Sequence, residues 1–255
     1  MIRSLSTKGV PMRVRPIPTV GLLALASLLA ILPPDTARAQ RPVDLELVLA
    51  IDVSGSVDEE EASLQREGYA SALNDERVIA AMGGGPFGAV AVTYVEWAGD
   101  DYQRTVVPWT VIANQDDARR FSDEITAAPF MSARWTSLSG AIDYCATLFA
   151  GNGLEGVRQV IDISGDGVNN RGRPPAVARD EAVAAGITIN GLPILNERPN
   201  PWGGAAPIDL DRYYEENVIG GPGAFYIAAR DFDDFAAAIL SKLIREIAAN
   251  PSDAG

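Results

Sequence analysis

Short runs of apolar residues alternate along the chain with longer segments in which apolar residues recur every three or four positions. The short runs predict six β-strands, at residues 45–51, 89–97, 104–111, 159–164, 187–192 and 224–227. The longer segments predict six helices, at residues 59–82, 115–127, 138–149, 176–185, 211–218 and 231–250. The last helix has the clearest spacing, and Pro251 marks its end.

This alternation of strands and helices favours an α/β fold. The first strand is apolar at nearly every position, which is typical of a central strand that is covered on both faces. Only the residues AGDDYQ separate the second and third strands, too few for a crossover helix, so these two are expected to pair as an antiparallel hairpin. We therefore predict a Rossmann-like, doubly wound, mostly parallel sheet with one antiparallel edge strand and helices on both faces.

The first 39 residues have the pattern of an export signal. Basic residues precede an apolar run at residues 20–32, and TARAQ places Ala37 and Ala39 at the spacing of a cleavage site. The run is shorter than the roughly 20 residues that span a bilayer. We expect a signal peptide at 1–39 cleaved after Ala39, one domain at 43–250, and a short polar tail at 251–255. The mature protein is then periplasmic or secreted, with no integral membrane span.

Composition excludes several kinds of chemistry. The chain has no histidine, which excludes a histidine general base, a Ser-His-Asp or Cys-His nucleophile, and a histidine-ligated zinc site. Beyond the export signal its only lysine is Lys242, which does not lie in a glycine-rich turn, so a P-loop is excluded. The net charge of −13 argues against nucleic acid as a partner, because phosphate binding needs clustered Lys and Arg. The single Cys145 is predicted to be a buried helix residue.

The first strand leads into a polar loop in the sequence LELVLAIDVSGSVDEEE. Asp52, Ser54 and Ser56 follow at alternate positions, at the carboxyl end of a strand, where open α/β sheets form their functional crevice. Gly55 allows the loop to curl, and three converging hard oxygens suit Mg²⁺. The alternative is an ordinary helix start, favoured by the acidic residues 58–61. That alternative accounts for the acidic run, but it leaves Asp52 at the end of a buried strand with no lysine or histidine beside it.

Two later stretches add oxygen ligands at the same edge of the sheet. SARWTSLSGAID places Thr136 in a loop directly before a helix, and QVIDISGDGVNN places Asp166 in a turn after a second apolar strand. In this order, the three motifs resemble the von Willebrand factor type A domain with its metal-ion-dependent adhesion site (MIDAS). The resemblance covers roughly residues 43–249. The strings ISGDGVNNRG and TINGLPIL are similar to a group of uncharacterised exported bacterial proteins with this domain.

The resemblance implies a metal site formed by Asp52, Ser54, Ser56, Thr136 and Asp166. The two serines would bind the metal directly, and the two aspartates and the threonine would bind it directly or through water. Mg²⁺ is the expected metal, with Mn²⁺ or Ca²⁺ as alternatives. In this family a carboxylate from the binding partner typically fills the last coordination position. The resemblance therefore implies a non-enzymatic protein-binding module whose partner is an unidentified envelope or extracellular protein.

Two loops at the same edge, GVNNRGRPP and PILNERPNPWGGAAPID, carry candidate partner contacts. These are Arg171, Arg173, Arg198 and Trp202. Arginine can hold a carboxylate through two parallel hydrogen bonds, which suits an acidic partner. The alternative is that the arginines are merely solvated and that the tryptophan packs on its own loop.

Two other functions remain open on the sequence alone. A phosphohydrolase of the haloacid dehalogenase type also places an aspartate after its first strand and binds Mg²⁺. It normally needs a second acid two residues later, where this chain has Ser54, and a Lys or Arg for the phosphoryl group, for which Lys242 is badly placed. The other function is a metal-free structural domain of the same fold.

Overall fold

The computed structural model describes residues 40–195, 209–231 and 234–248, together with Gly9. The chain divides into two units, Met1–Arg38 and Ala39–Gly255, and the elements given below belong to the second. The predicted signal peptide, the polar tail, and the loop segment with Arg198 and Trp202 lie outside the described residues. These expectations remain predictions.

Seven strands form two sheets. They are β1 (Arg41–Val43), β2 (Leu45–Asp52), β3 (Val90–Trp97), β4 (Gln103–Ile112), β5 (Leu154–Gly156), β6 (Gln159–Gly165) and β7 (Thr188–Pro193). The main sheet has the order β4-β3-β2-β6-β7, and a small sheet pairs β1 with β5. All pairs in the main sheet are parallel except β3 with β4. The predicted mostly parallel sheet with an antiparallel edge strand is confirmed.

Seven helices in the described residues surround the sheet. They are α1 (Glu59–Leu73), α2 (Glu76–Met82), α3 (Gln115–Ala127), α4 (Leu138–Thr147), α5 (Pro175–Ala184), α6 (Leu210–Asn217) and α7 (Phe235–Ala248). None of these helices is long and apolar enough to cross a membrane. Capping explains where α1 begins, since the Asp58 carboxylate accepts from the backbone N–H of Glu61 and the Glu61 carboxylate accepts from that of Asp58. The interpretation of residues 58–61 as a helix start is confirmed.

Two sequence predictions of secondary structure are wrong. The single helix expected at residues 59–82 is interrupted, because Asp75 has an extended backbone and caps a new helix by accepting from the N–H of Arg77. Residues 224–227 do not form a strand. They lie beside β7, and Tyr226 forms an isolated bridge with Gly191.

Alternation along β2 divides the core between the two faces of the sheet. Leu45, Leu47, Leu49 and Ile51 pack with residues of α1, α2, α3 and α7. Val48 and Ala50 pack with residues of α4, α5 and α6 on the other face. All eight residues of β2 are buried, and each fully buried aliphatic side chain contributes about 1.5–3 kcal/mol to folding. Burial on both faces fixes the position of the strand that leads into the polar loop.

Candidate metal site

The carboxyl ends of β2 and β6 lie side by side at one edge of the main sheet. Ile51 of β2 is in register with Ser164 of β6, so the loops that follow these two strands begin next to each other. Asp52, the last residue of β2, and Asp166, the first residue after β6, are both buried. A third loop, before α4, crosses this edge, since the N–H of Ala133 donates to the carbonyl of Val53 at 3.2 Å. Parallel pairing therefore brings three separate stretches of sequence to one place.

The five predicted ligands meet at this edge. The Thr136 hydroxyl donates to the Ser54 hydroxyl at 3.4 Å, and the hydroxyls of Ser54 and Ser56 are hydrogen-bonded at 3.2 Å. Ser56 in turn donates to Oδ1 of Asp166 at 2.7 Å. The backbone N–H of Ser54 donates to Oδ1 of Asp52 at 2.7 Å. The arrangement is one connected cluster of two carboxylates and three hydroxyls.

The carboxylate of Asp52 is the most constrained member of the cluster. It is fully buried, and its Oδ2 accepts no hydrogen bond from any residue that the structure describes. Burial raises the pKa of Asp52 well above its ordinary value of 3.8, and the nearby Asp166 raises it further, whereas the hydrogen bonds from Ser54 lower it. A buried carboxyl group is favoured in its protonated form unless a positive charge compensates the carboxylate. A divalent cation would provide this charge.

The donor set fits a hard cation. Carboxylate and hydroxyl oxygens are ligands that Mg²⁺ and Ca²⁺ accept, whereas a soft metal would favour sulfur or imidazole. No group of three or more His, Cys, Asp or Glu side chains among the described residues is arranged to hold a metal ion. A metal held by this cluster would therefore have a mixed donor set, in which hydroxyls supply three of the five side chains.

Asn170 connects the loop of Thr136 to the loop of Asp166. Its Oδ1 accepts from the N–H of Thr136 at 2.9 Å, and its own N–H donates to the Thr136 carbonyl at 2.9 Å. The N–H of Arg171 donates to the same carbonyl at 3.2 Å. Sequence reasoning missed this positioning residue. The available signal was its place four residues after Asp166 in GDGVNN, since Asn commonly bonds nearby backbone.

The two described candidates for partner contact have different surroundings. Arg171 is exposed, and its Nε donates to Oδ1 of Asp100 at 3.0 Å. Arg173 is bound by two carboxylates of its own chain, with its guanidinium 2.5 Å from Asp143 and 2.6 Å from Glu181. Both arginines lie in the loop after β6, near the candidate site.

Trp135 is a further residue at the site that the sequence analysis did not select. It directly precedes Thr136, its side chain is 51% exposed, and its backbone has a φ of 71°. The guanidinium carbons of Arg134 and Arg171 lie 5.8 and 5.9 Å from the centre of its ring. The signal for it was present in SARWTS, where an aromatic residue adjoins the predicted ligand.

Comparison with known proteins gives a family and a fold. The family described as "Protein of unknown function (DUF1194)" matches residues 42–251. No curated protein matches the chain.

The solved structures that share the fold include the following three. Proximal thread matrix protein 1 from the mussel byssus is 14% identical with a TM-score of 0.61, over 82% of this chain and 49% of that one. BatB from Bacteroides thetaiotaomicron is 19% identical with a TM-score of 0.54, over 80% and 98%. The von Willebrand factor type A protein from Catenulispora acidiphila is 14% identical with a TM-score of 0.54, over 80% and 43%. This chain thus spans about half the length of the mussel protein.

One structure of the mussel protein is described as having a zinc-occupied MIDAS motif, with 13% identity and a TM-score of 0.56. At such low identity, the similarity of these structures establishes the fold alone. The strand order of the main sheet and the helices on both of its faces agree with this fold. The family match covers residues 42–251, which is nearly the whole described domain. This chain belongs to the DUF1194 family of proteins of unknown function and has the fold of von Willebrand factor type A domains.

Proposed function

We propose that this protein binds a divalent cation through Asp52, Ser54, Ser56, Thr136 and Asp166, and that it uses the bound cation to hold a carboxylate of a partner protein. The observation that carries the proposal is the convergence of these five oxygen-bearing side chains from three loops. The buried Oδ2 of Asp52, which accepts no hydrogen bond from the described residues, supports it. A carboxylate in that position is costly to folding without a positive charge.

Each residue has a distinct part in the proposed site. Ser54 and Ser56 present hydroxyl oxygens from the loop after β2, and Thr136 presents one from the loop before α4. Asp52 and Asp166 supply negative charge. When bound, the cation supplies a Lewis-acid position for a partner carboxylate, as the family resemblance implies. Asn170 and the backbone bonds around Thr136 keep the loops in place before any partner arrives.

Mg²⁺ is the metal that we propose, with Mn²⁺ and Ca²⁺ as alternatives. Hard oxygen donors favour these ions, and the absence of histidine from the sequence removes the usual nitrogen ligand of zinc. The zinc described in the mussel protein supports the occupation of such a site by a divalent cation in this fold.

A phosphohydrolase is a weaker proposal. Ser54 occupies the position where that chemistry needs a second acid. Lys242, the lysine that would have to steady a phosphoryl group, is fully buried against Asp162 and Glu246. We therefore propose a non-enzymatic binding module. The pattern of the first 39 residues supports export and a partner in the envelope or outside the cell.

Metal titration tests the proposal directly. Calorimetric and thermal-unfolding titrations with Mg²⁺, Mn²⁺ and Ca²⁺ should show binding to the parent protein and a rise in its unfolding temperature. A ligand at about 100 times its Kd stabilises the folded state by about 2.7 kcal/mol. Asp52→Asn should abolish both effects, because it removes a carboxylate from the site. The variant should stay folded, because the replacement also removes a buried charge.

Asp58→Asn is the matched control. Asp58 lies six positions after Asp52 and caps α1, and it receives the same Asp-to-Asn replacement. Because Asn is an equally good helix cap, metal binding should not change. If none of the three metals produces heat or stabilisation, the metal site is refuted. A pull-down from the envelope fraction, with and without chelator, tests the partner, and a phosphatase assay tests the rival function.

A further inference from the structure

Exposed apolar side chains lie in two of the loops that form the candidate metal site. Among the described residues, six large apolar side chains are exposed. They are Phe87, Met131, Trp135, Val157, Val168 and Val177. Met131 and Trp135 lie in the loop that carries Thr136, and Val168 lies in the loop that carries Asp166. Apolar exposure rimmed by polar residues is a mark of a protein-binding surface.

The backbone of Trp135 is in the left-handed region, with a φ of 71°. A bulky residue is strained in that conformation, so its neighbours must hold it there. They do so on both sides, since the Ala133 N–H donates to Val53 and the backbone of Thr136 bonds to Asn170. As a result, Thr136 is buried toward the metal site while the adjacent indole is exposed to solvent. Strain of this kind clusters at functional sites.

Two arginine side chains flank the indole. The guanidinium groups of Arg134 and Arg171 lie within 6 Å of the ring centre, which is the range of cation–π attraction. Arg171 is itself held by Asp100. Gly99 permits the close approach of this loop, because a Cβ there would lie 2.8 Å from the Arg134 carbonyl and 3.5 Å from the Trp135 Cβ. An aromatic residue flanked by arginine, and held in place before binding, has the composition of an interface hot spot.

We propose that Trp135, with Arg134 and Arg171, binds an aromatic or aliphatic side chain that adjoins the partner's metal-bound carboxylate. This inference rests on the proposed function and specifies its partner as an acidic protein segment with an apolar residue next to its acid. The segment is acidic because the proposed function gives it a metal-bound carboxylate, and two guanidiniums beside Trp135 lie at the same site. Arg173 is not part of this surface, since two carboxylates, of Asp143 and Glu181, bind its guanidinium, whereas Arg171 bonds to Asp100 through Nε and lies against the Trp135 ring.

Selection of displayed random seven-residue peptides on the immobilised full chain, in Mg²⁺, tests the inference. The parent should enrich peptides that contain Asp or Glu with an aromatic or aliphatic residue within two positions. Trp135→Ala should still enrich acidic peptides but lose the apolar preference. It should bind the peptide selected by the parent about tenfold more weakly, the effect of losing about 1.4 kcal/mol. Trp135→Phe should retain the preference.

Phe87→Ala is the matched control, because Phe87 is 48% exposed but precedes β3, at the opposite edge of the sheet. It should select the same peptides as the parent, and thermal unfolding checks that every variant is folded. The inference is overturned if Trp135→Ala keeps the apolar preference and binds within twofold of the parent, or if the parent enriches no acidic peptide.

The same selection separates this inference from the proposed function. If enrichment depends on Trp135 but survives chelator and Asp52→Asn, the surface is supported and the metal-dependent function fails. If chelator and Asp52→Asn abolish enrichment while Trp135→Ala leaves the flanking preference unchanged, the function stands and the surface is overturned.

Discussion

A buried charge cluster between β6 and α7 makes folding stability depend on pH. Asp162, Lys242 and Glu246 are all buried, and Nζ of Lys242 lies 2.5 Å from a carboxylate oxygen of each acid. Asn190 also donates to Glu246, at 2.9 Å. Two carboxylates thus share one ammonium group in an environment from which water is excluded. The cluster would carry an unbalanced negative charge if both acids were ionised.

The pKa of Asp162 reflects this imbalance. Burial and then the charge of Glu246 raise it from an ordinary value of 3.8 to about 7, although Lys242 acts in the opposite direction. A pKa that is raised on folding means that the folded state favours the protonated acid. The contribution of protonated Asp162 to folding stability is fully present below about pH 4 and is lost as the pH rises through about 7. At about 1.4 kcal/mol for each tenfold change in proton affinity, the loss is about 4 kcal/mol.

Replacement of Asp162 by Asn tests this reasoning, because the amide has the same shape and cannot ionise. Urea unfolding of the parent and of Asp162→Asn should be measured at pH 5 and pH 8. The free energy of unfolding of Asp162→Asn, relative to that of the parent, should rise by about 2 to 3 kcal/mol from pH 5 to pH 8. Asp123→Asn, at an exposed position of α3, is the control and should show no such change. A difference between parent and Asp162→Asn that is the same at both pH values would refute the reasoning.

Three further predictions concern buried positions. Lys242→Met should cost about 3–5 kcal/mol in urea unfolding at pH 8, because it leaves two buried carboxylates without a cation, and a loss below about 1 kcal/mol would contradict this. Gly165→Ala should cost about 1–3 kcal/mol and weaken Mg²⁺ binding in calorimetry, since its Cβ would lie 2.9 Å from Oδ2 of Asp52. Gly83→Ala, whose nearest contact would be 3.7 Å, should have neither effect. Burial in α4 raises the pKa of the Cys145 thiol and shields it from solvent. A thiol reagent at pH 8 should therefore label Cys145 in urea but not in the native protein. Rapid labelling of the native protein would contradict the burial of this residue in α4.

Local pattern predicted most of the elements. The apolar run of β2 and the short connection between β3 and β4 were sufficient to place a central strand and an antiparallel edge strand, because these features depend on neighbours in sequence. The break between α1 and α2 was not predicted. Asp75 is of a residue type that favours an N-cap, but the apolar spacing continues past it, and its extended backbone and its bond to Arg77 are seen only in the structure.

The sequence identified the five candidate ligands by residue type and order, and the structure places them together. The sequence did not identify Asn170, because this residue holds the Thr136 loop through a contact between positions 34 residues apart. It also did not identify Trp135 as a surface residue. Tryptophan is usually largely buried, and the left-handed backbone that turns this one outward depends on bonds to other loops.

The sequence by itself determined which chemical groups are available: hard oxygens after two apolar strands, no histidine and a single lysine after residue 39. Only the tertiary structure decided how those groups are combined. The parallel register of β2 with β6 brings Asp52 and Asp166 together, and the packing of α7 against the sheet buries Lys242 beside Asp162 of β6. Side-chain chemistry is encoded position by position, whereas proximity and burial arise from contacts between residues that lie far apart along the chain.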